Sequence, residues 1–393
     1  MLPLEGFRVL DLTHVLAGPC ATHHLRCMGA EVIKIERPGG GDPMRALDMQ
    51  PELEGLTPGF RALNAGKKSV VVDLATEEGR ATVLRIAETC DVFVENFRPG
   101  VARRFGLAPE DLAAVRPGII YCSISGWGQS GPNSARGAYD HVIQAATGMM
   151  ALQGSPGDPP IKVGFPVIDI ATGMSAAEAI LAGVVRRLRG DTAPITLDVS
   201  MVDCALALMS GPAANTIATG KAPPRVGNRG FVGSPGAETF ATSDGHISVA
   251  ANTMSQFATL CRLLGHPELA RPPYLPAGLS AGAFLADAAT DDLRRRLAAA
   301  FAASQAETLE HALNEAGVPA ARVRSLGEYL VEIYPLTPGI GVAGEALALG
   351  PAFRWSNGEE PSLPPAPRLG ADNERFNANT PPASTGPAQA ARR

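Results

Sequence analysis

The sequence predicts an α/β fold: a Rossmann-like parallel sheet in a large domain, joined to a smaller α+β domain. Three observations carry this expectation. Short β-branched runs alternate with helical stretches through the first half of the 393-residue chain, the pattern of a parallel sheet covered on both faces. The first run, FRVLDL, reads as a buried strand. A Gly- and Pro-rich stretch, KAPPRVGNRGFVGSPGAE at 221–238, then interrupts the alternation and marks a boundary.

The elements follow in order. FRVLDL (7–12) is a strand, GPCATHHLRCMGA (18–30) a helix and EVIKIE (31–36) the next strand. KSVVVDL (68–74) is a third strand, and EEGRATVLRIAETC (77–90) carries apolar residues at helical spacing. DVFVENF (91–97) and IIYCSISGWG (119–128) continue the strand series. ATGMSAAEAILAGVVRRLRG (171–190) reads as a long helix, and ITLDVSMVDCALALM (195–209) as a strand running into a helix. Past the boundary, TFATSDGHISVAAN reads as a hairpin and SQFATLCRLLGHPELA as a helix, with Ala-rich helices to about residue 316. Short strands and prolines occupy the region near 330–370. The domain expectation is therefore 1–224 for the large domain and 225–325 for the small one. Residues 326–393 return to the large domain and end in a flexible tail, NANTPPASTGPAQAARR.

Composition narrows the function. Hydrophobic residues at 45 % and charged residues at 19 % fit a globular enzyme and exclude a disordered chain. A net charge of −5 without a basic tract makes nucleic acid and anionic membranes poor partners. Six scattered cysteines form no CxxC pair and no zinc spacing, so no metal is expected and a reducing compartment is. The N-terminus has no signal-peptide pattern and no segment approaches the length of a membrane span. The expected location is cytoplasmic. The first strand is followed by DLTHVLAGP instead of GxGxxG, which argues against a nicotinamide or flavin dinucleotide.

Three clusters carry possible chemistry. Arg37, Lys67, Lys68, Arg98 and Arg104 follow strand ends, where α/β sheets place ligands, and guanidinium forks suit phosphate oxygens. In RGAYDHVIQAATGMM, Tyr139, Asp140 and His141 stand at the mouth of a helix, where Asp140 is equally an N-cap. In GFPVIDIATGM, Asp169 sits in apolar company. It reads either as a helix cap or as a reactive carboxylate shielded from water. No GxSxG competes with it.

Together these stretches resemble the class III CoA-transferase family, also called CaiB/BaiF, which includes carnitine CoA-transferases and α-methylacyl-CoA racemases. The resemblance runs through GFRVLDLTHVLAGPCATHHLRCMGAEVIKIERPGGGDPMR, NAGKKSVVVDL, DVFVENFRPGVARRFGL, GAYDHVIQAATGMM, VGFPVIDIATGM and LDVSMVDCAL, in order along almost the whole chain. It implies a Rossmann-like large domain built from both chain termini, a smaller domain, and an interlocked homodimer. It implies that Asp169 is the nucleophile. It places Val15, Arg37, Val72, Asn96, Phe97, Arg104, Arg136 and Met201 near coenzyme A, with Phe97 facing the adenine. It places Leu16, Tyr139, Asp140, His141 and Gly233 at the acyl pocket, Gly233 within a mobile glycine loop. Leu16 stands where formyl/oxalate-type members have glutamine, and Ala75 where some members have lysine.

The resemblance implies an enzyme that transfers sulfur-containing groups (EC 2.8.3 type), moving CoA from an acyl-CoA donor to a carboxylic acid. Coenzyme A is then a substrate and no tightly bound cofactor is expected. The alternatives are an α-methylacyl-CoA racemase and a non-catalytic acyl-CoA-binding homologue. Racemases usually carry histidine at position 139, and a tyrosine near its ordinary pKa is a poor base.

Overall fold

The structure, a computed structural model, describes residues 1–47, 53–230, 233–286, 290–332, 350–353, 355–356 and 362–376. The chain divides into two compact units, residues 1–150, 162–222 and 339–393 in one, residues 151–161 and 223–338 in the other.

The larger unit is organised by six parallel strands: β1 (Arg8–Leu12), β2 (Glu31–Glu36), β3 (Lys68–Val71), β4 (Val92–Glu95), β5 (Ile120–Ser125) and β6 (Ile195–Ser200). Their spatial order is β3-β2-β1-β4-β5-β6, so the winding direction reverses between β1 and β4. The carboxyl ends of that pair are where such a sheet opens a crevice. Successive side chains point to opposite faces, which explains two separate cores. Val9, Val92, Val94, Ile120 and Cys122 meet the Ala17–Cys27 and Val167–Leu188 helices on one face. Leu10, Ile33, Phe93 and Tyr121 meet the Glu77–Ala87 and Pro109–Val115 helices on the other.

The outer edge of β3 is closed by residues from the far end of the chain. Asp372 accepts from Ser69 N at 2.9 Å, and Asn373 accepts from Val71 N at 2.8 Å. Side-chain oxygens thus stand in for a neighbouring strand and take both outward amides of β3.

The long helix begins at Val167, four residues before the predicted start, so Asp169 lies inside its first turn. By length and composition this helix is apolar enough to cross a membrane, contrary to the expectation that no segment is. In this chain it is a core helix: Ile168, Thr172, Ala176, Ile180 and Val184 are buried in the larger unit. Gly173 allows it to approach the Ala17–Cys27 helix closely. A Cβ at this position would lie 2.6 Å from Ala17 O and 2.6 Å from Cys20 Cβ. All six cysteines are free and buried.

The smaller unit carries a three-stranded antiparallel sheet of β7 (Gly236–Ala241), β8 (His246–Ala251) and β9 (Ala320–Arg322), the first two forming the predicted hairpin. Its core centres on Phe240 stacked on Phe301 at 4.0 Å, with Phe257, Leu260, Leu293 and Leu297 around them. The expected flexible tail at 377–393 and most of the expected short strands near 330–370 lie outside the described residues.

Gly173→Ala is expected to force the two helices apart and lower stability by about 1–3 kcal/mol. Urea unfolding reads this, and an unchanged midpoint would show that the contact has slack.

Candidate active site

The site is built on the turn after β1. Asp11, fully buried, accepts from Thr13 N at 2.9 Å and Thr13 Oγ1 at 2.6 Å, which turns the chain sharply as it leaves the strand. Two buried lysines hold the turn from below. Lys34 Nζ donates to Thr13 O at 2.7 Å and pairs with Asp42 at 2.9 Å. Lys67 Nζ lies 3.1 Å from Asp11 Oδ2 and donates to Thr22 Oγ1 at 2.7 Å and Pro19 O at 3.1 Å. Burial pushes the Asp11 carboxyl up, but Lys67, Lys34 and the two threonine hydroxyls outweigh it and bring it down to about 2. Burial, opposed by Asp11, lowers Lys67 to about 8.

Above these ions the backbone is strained. Val15 has φ 69°, a left-handed conformation that a β-branched residue adopts only when its surroundings impose it. Its N–H donates to Asp42 Oδ1 at 3.1 Å. The preceding residue is clamped by Asn96, which accepts from His14 N at 3.0 Å and donates to His14 O at 2.8 Å.

Asp169 is the third residue of the Val167–Leu188 helix, after Pro166 at the N-cap position. It does not cap the helix. That role belongs to Asp140, 8 % exposed, whose Oδ2 accepts from Ile168 N at 2.7 Å and Asp169 N at 3.1 Å. Asp140 was expected to cap its own helix, Asp140–Ala146, or to line the acyl pocket. It is the first residue of that helix, and its carboxylate turns to the neighbouring one. Its Oδ1 accepts from Gln144 Nε2 at 2.5 Å, and Gln144 Oε1 accepts from Val163 N at 2.9 Å. Burial first, then the Asp140 charge, push the Asp169 carboxyl up to about 6.

Two neighbouring cavities receive most of the predicted residues. One, of about 770 Å³, is lined by Val15, Leu16, Asn96, Phe97, Arg98, Arg136, Tyr139, Asp169 and Met201. The other, of about 340 Å³, is lined by Arg37, Val72, Ala75, Phe97 and Phe105. His14, Pro43 and Phe97 line both. Phe97 lies between His14 and Phe105, with ring centroids 6.0 Å and 6.1 Å away.

Other predicted residues fall elsewhere. Arg104 is exposed on the Val101–Arg104 helix and lines neither cavity. Exposed His141 stacks on Tyr139 at 6.4 Å, outside both linings. Gly233 belongs to the smaller unit, and Phe231 and Val232 of its loop lie outside the described residues. Lys67 is sealed in the ion cluster and Lys68 pairs with Asp372 at 3.6 Å, so neither is free for phosphates. Among the described residues no cluster of metal ligands occurs. Sequence reading passed over His14, whose imidazole burial lowers from its ordinary pKa. Its place after the first strand of a parallel sheet was the available signal. It also passed over Gln144, which nothing in a single sequence marks.

Comparison with protein families matches residues 4–373 to CoA-transferase family III. The chain belongs to that family. Among relatives of this CoA-transferase, succinyl-CoA:glutarate CoA-transferase of Mus musculus is 35 % identical over 376 residues, covering 94 % of this chain and 84 % of that one. Succinate–glutarate CoA-transferase of Agrobacterium fabrum is 39 % identical over 268 residues, 67 % of this chain and 66 % of its own. A crystal structure of a CaiB/BaiF family protein from Brucella suis matches with a TM-score of 0.83 at 31 % identity, covering 96 % and 98 % of the two chains.

A raised carboxyl means that the folded protein holds this proton more tightly than the unfolded chain does. Stability therefore falls as pH rises from about 4 through about 6. Asp169→Asn is expected to stabilise the fold by about 1–3 kcal/mol at pH 8 and to give no gain at pH 4. Thermal melts at the two pH values check this, and an equal gain at both would assign it to something other than ionisation.

Proposed function

We propose that this CoA-transferase moves coenzyme A from an acyl-CoA to a carboxylic acid through covalent intermediates on Asp169. One observation carries the reading: a partly desolvated carboxylate, raised to about 6, lines the larger cavity beside a second cavity suited to a nucleotide. At neutral pH it is mostly ionised, yet more basic and more nucleophilic than an ordinary aspartate.

The exchange balances in four steps. An Asp169 oxygen attacks the thioester carbon, the C–S bond breaks, and a mixed anhydride and CoA thiolate form. The thiolate attacks the Asp169 carbonyl carbon, expels the donor acid as its carboxylate and leaves an aspartyl-CoA thioester. The acceptor carboxylate attacks that thioester and regenerates an anhydride and free thiolate. The thiolate then attacks the acceptor acyl carbon, giving the new acyl-CoA and restoring the Asp169 carboxylate. Apolar neighbours of Asp169 limit hydrolysis of these intermediates.

In this reading the adenine lies in the smaller cavity against Phe97 and Phe105, with Arg37 at its rim. The thioester end reaches Asp169 past His14 and Val15. Coenzyme A is a substrate and not a resident cofactor. The working form is a homodimer of interlocked subunits in the cytoplasm. Exposed Leu188, Leu206, Leu208 and Ile217 on the larger unit are apolar surface that a second copy would cover.

The acid is a dicarboxylate. The relatives named above are succinyl-CoA:glutarate and succinate–glutarate CoA-transferases, and among the described residues Asp169 is the one carboxylate lining the larger cavity, against two guanidiniums. Arg136 stacks over Trp127 at 4.4 Å, and a Cβ at Gly137 would lie 3.7 Å from Arg98 Nη2. The two cations thus flank one wall, where a distal carboxylate would be held.

Asp169→Ala is expected to reduce exchange to background with its circular dichroism unchanged, and near-normal exchange by the folded variant would sink the assignment. Acceptor acid labelled with ¹⁸O should leave label in the Asp169 peptide after turnover, read by mass spectrometry, because the bridging anhydride oxygen stays with the enzyme. Arg136→Ala should lower the preference for a dicarboxylate over the monocarboxylate of equal length by about 10–100-fold, the worth of one charge-assisted contact. A similar loss for both acids, with a raised KM for acyl-CoA, would assign Arg136 to coenzyme A instead.

A further inference from the structure

The first turn of the Asp169 helix has an unusual hydrogen-bond account. A helix leaves its first four N–H groups without partners inside the helix, and these normally stabilise an acidic side chain in that turn. Pro166 at the N-cap position has no N–H, which leaves three, and all three are taken. Val167 N donates to Phe165 O at 2.8 Å, and the regular helix bonds begin with Ile170 N to Pro166 O at 3.2 Å. The other two, Ile168 N and Asp169 N, donate to Asp140 Oδ2. No N–H of that turn is therefore left to bind the Asp169 carboxylate, and the positive end of the helix faces the Asp140 charge first.

Asp140 is a buried carboxylate held by neutral donors: two amides and the Gln144 carboxamide. Among the described residues no cation pairs with it. A serine or threonine would cap those amides as well and would put no charge beside the nucleophile. We propose that Asp140 is a positioning residue for the transfer reaction: its charge occupies the helix terminus, so that Asp169 stays a poorly solvated, more nucleophilic carboxylate. Gln144 fixes the rotamer of Asp140 and, through Val163 N, ties the segment leading into the helix to the same point.

The groups around Asp169 leave Asp140 as the main charge acting on it. Cys20, from the Ala17–Cys27 helix, is a further titratable neighbour, and burial pushes its thiol up to about 11, which keeps it neutral. His14, Arg98, Arg136 and Tyr139 share the cavity lining, and Met201 from the Met201–Leu208 helix adds no charge. The direction of the Asp169 shift, upward by burial and then by Asp140, agrees with the geometry.

The proposal rests on the reading of Asp169 as nucleophile, and its test separates the two. Asp140→Asn removes the charge and keeps an oxygen for the amides, but its carboxamide then faces Gln144 donor to donor. Asp140→Asn with Gln144→Glu restores that pairing while moving the charge away from the helix terminus. For both variants we would measure the pH profile of kcat/KM for exchange, the KM for acyl-CoA, and the Asp169 carboxyl titration by ¹³C NMR. The acid limb and the NMR midpoint are expected to move down by about one pH unit, the size of shift a close like charge produces. Exchange at pH 8, where Asp169 is fully ionised, is expected to fall about tenfold with KM unchanged. A double variant with the wild-type profile would show that hydrogen-bond geometry alone matters and would overturn the proposal. So would unmoved midpoints in folded protein. If the wild type forms no aspartyl adduct, the transfer reading itself fails, while the NMR midpoint still reports on Asp140.

Discussion

The larger unit depends on charges buried where water cannot reach them. Lys67 with Asp11 and Lys34 with Asp42 lie beneath the end of β1, and each side chain is at most 1 % exposed. Removing such ions from water costs several kcal/mol each, and the cost is met only when every charge finds a partner and the remaining donors find oxygens. Here they do, through Thr13, Thr22 and the carbonyls of Thr13 and Pro19. What the cluster secures is the turn at 13–16, including a left-handed Val15 that no local propensity favours. Glu36 extends the arrangement: it takes Arg45 in two bonds of 2.7 Å and 2.8 Å, and Arg45 lies 3.8 Å over the Phe60 ring.

How much of this was legible differs between levels. The strands were read within a few residues because each is a short apolar run between helical stretches, and burial on both faces demands that pattern. At the site, residue type singled out Asp169 among isoleucines but left it open between a helix cap and a reactive carboxylate; the structure gives the cap to Asp140. Lys67 misled for a physical reason. Its sequence context, next to Lys68 after a strand-like approach, does not show that one ammonium turns inward to Asp11 while the other faces Asp372. Asp140 misled in the same way, since an acidic residue opening a helix looks identical whether it caps that helix or another. Long-range pairing decides both cases, and a single sequence carries no trace of it.

The Val167–Leu188 helix shows how function and stability pull apart within one element. A neutral cap before it and an asparagine at 169 would make the helix more stable at neutral pH. Instead the chain sets two carboxylates at one helix end and buries one of them. Such local conflict is the expected mark of a working site. The close approach that Gly173 permits shows the rest of the helix packed tightly enough to absorb it.

The closure of β3 by Asp372 and Asn373 bears on how the chain comes into being. Partners 303 and 302 residues apart must meet before that edge is sealed. During synthesis the strand's outward amides stay uncovered until residues 372 and 373 have left the ribosome. For that interval the nascent sheet offers a template to any extended segment nearby, including its own sister chains on the same messenger. Lys68 opening that strand, a charged residue on an edge, is the kind of guard that would keep such encounters brief.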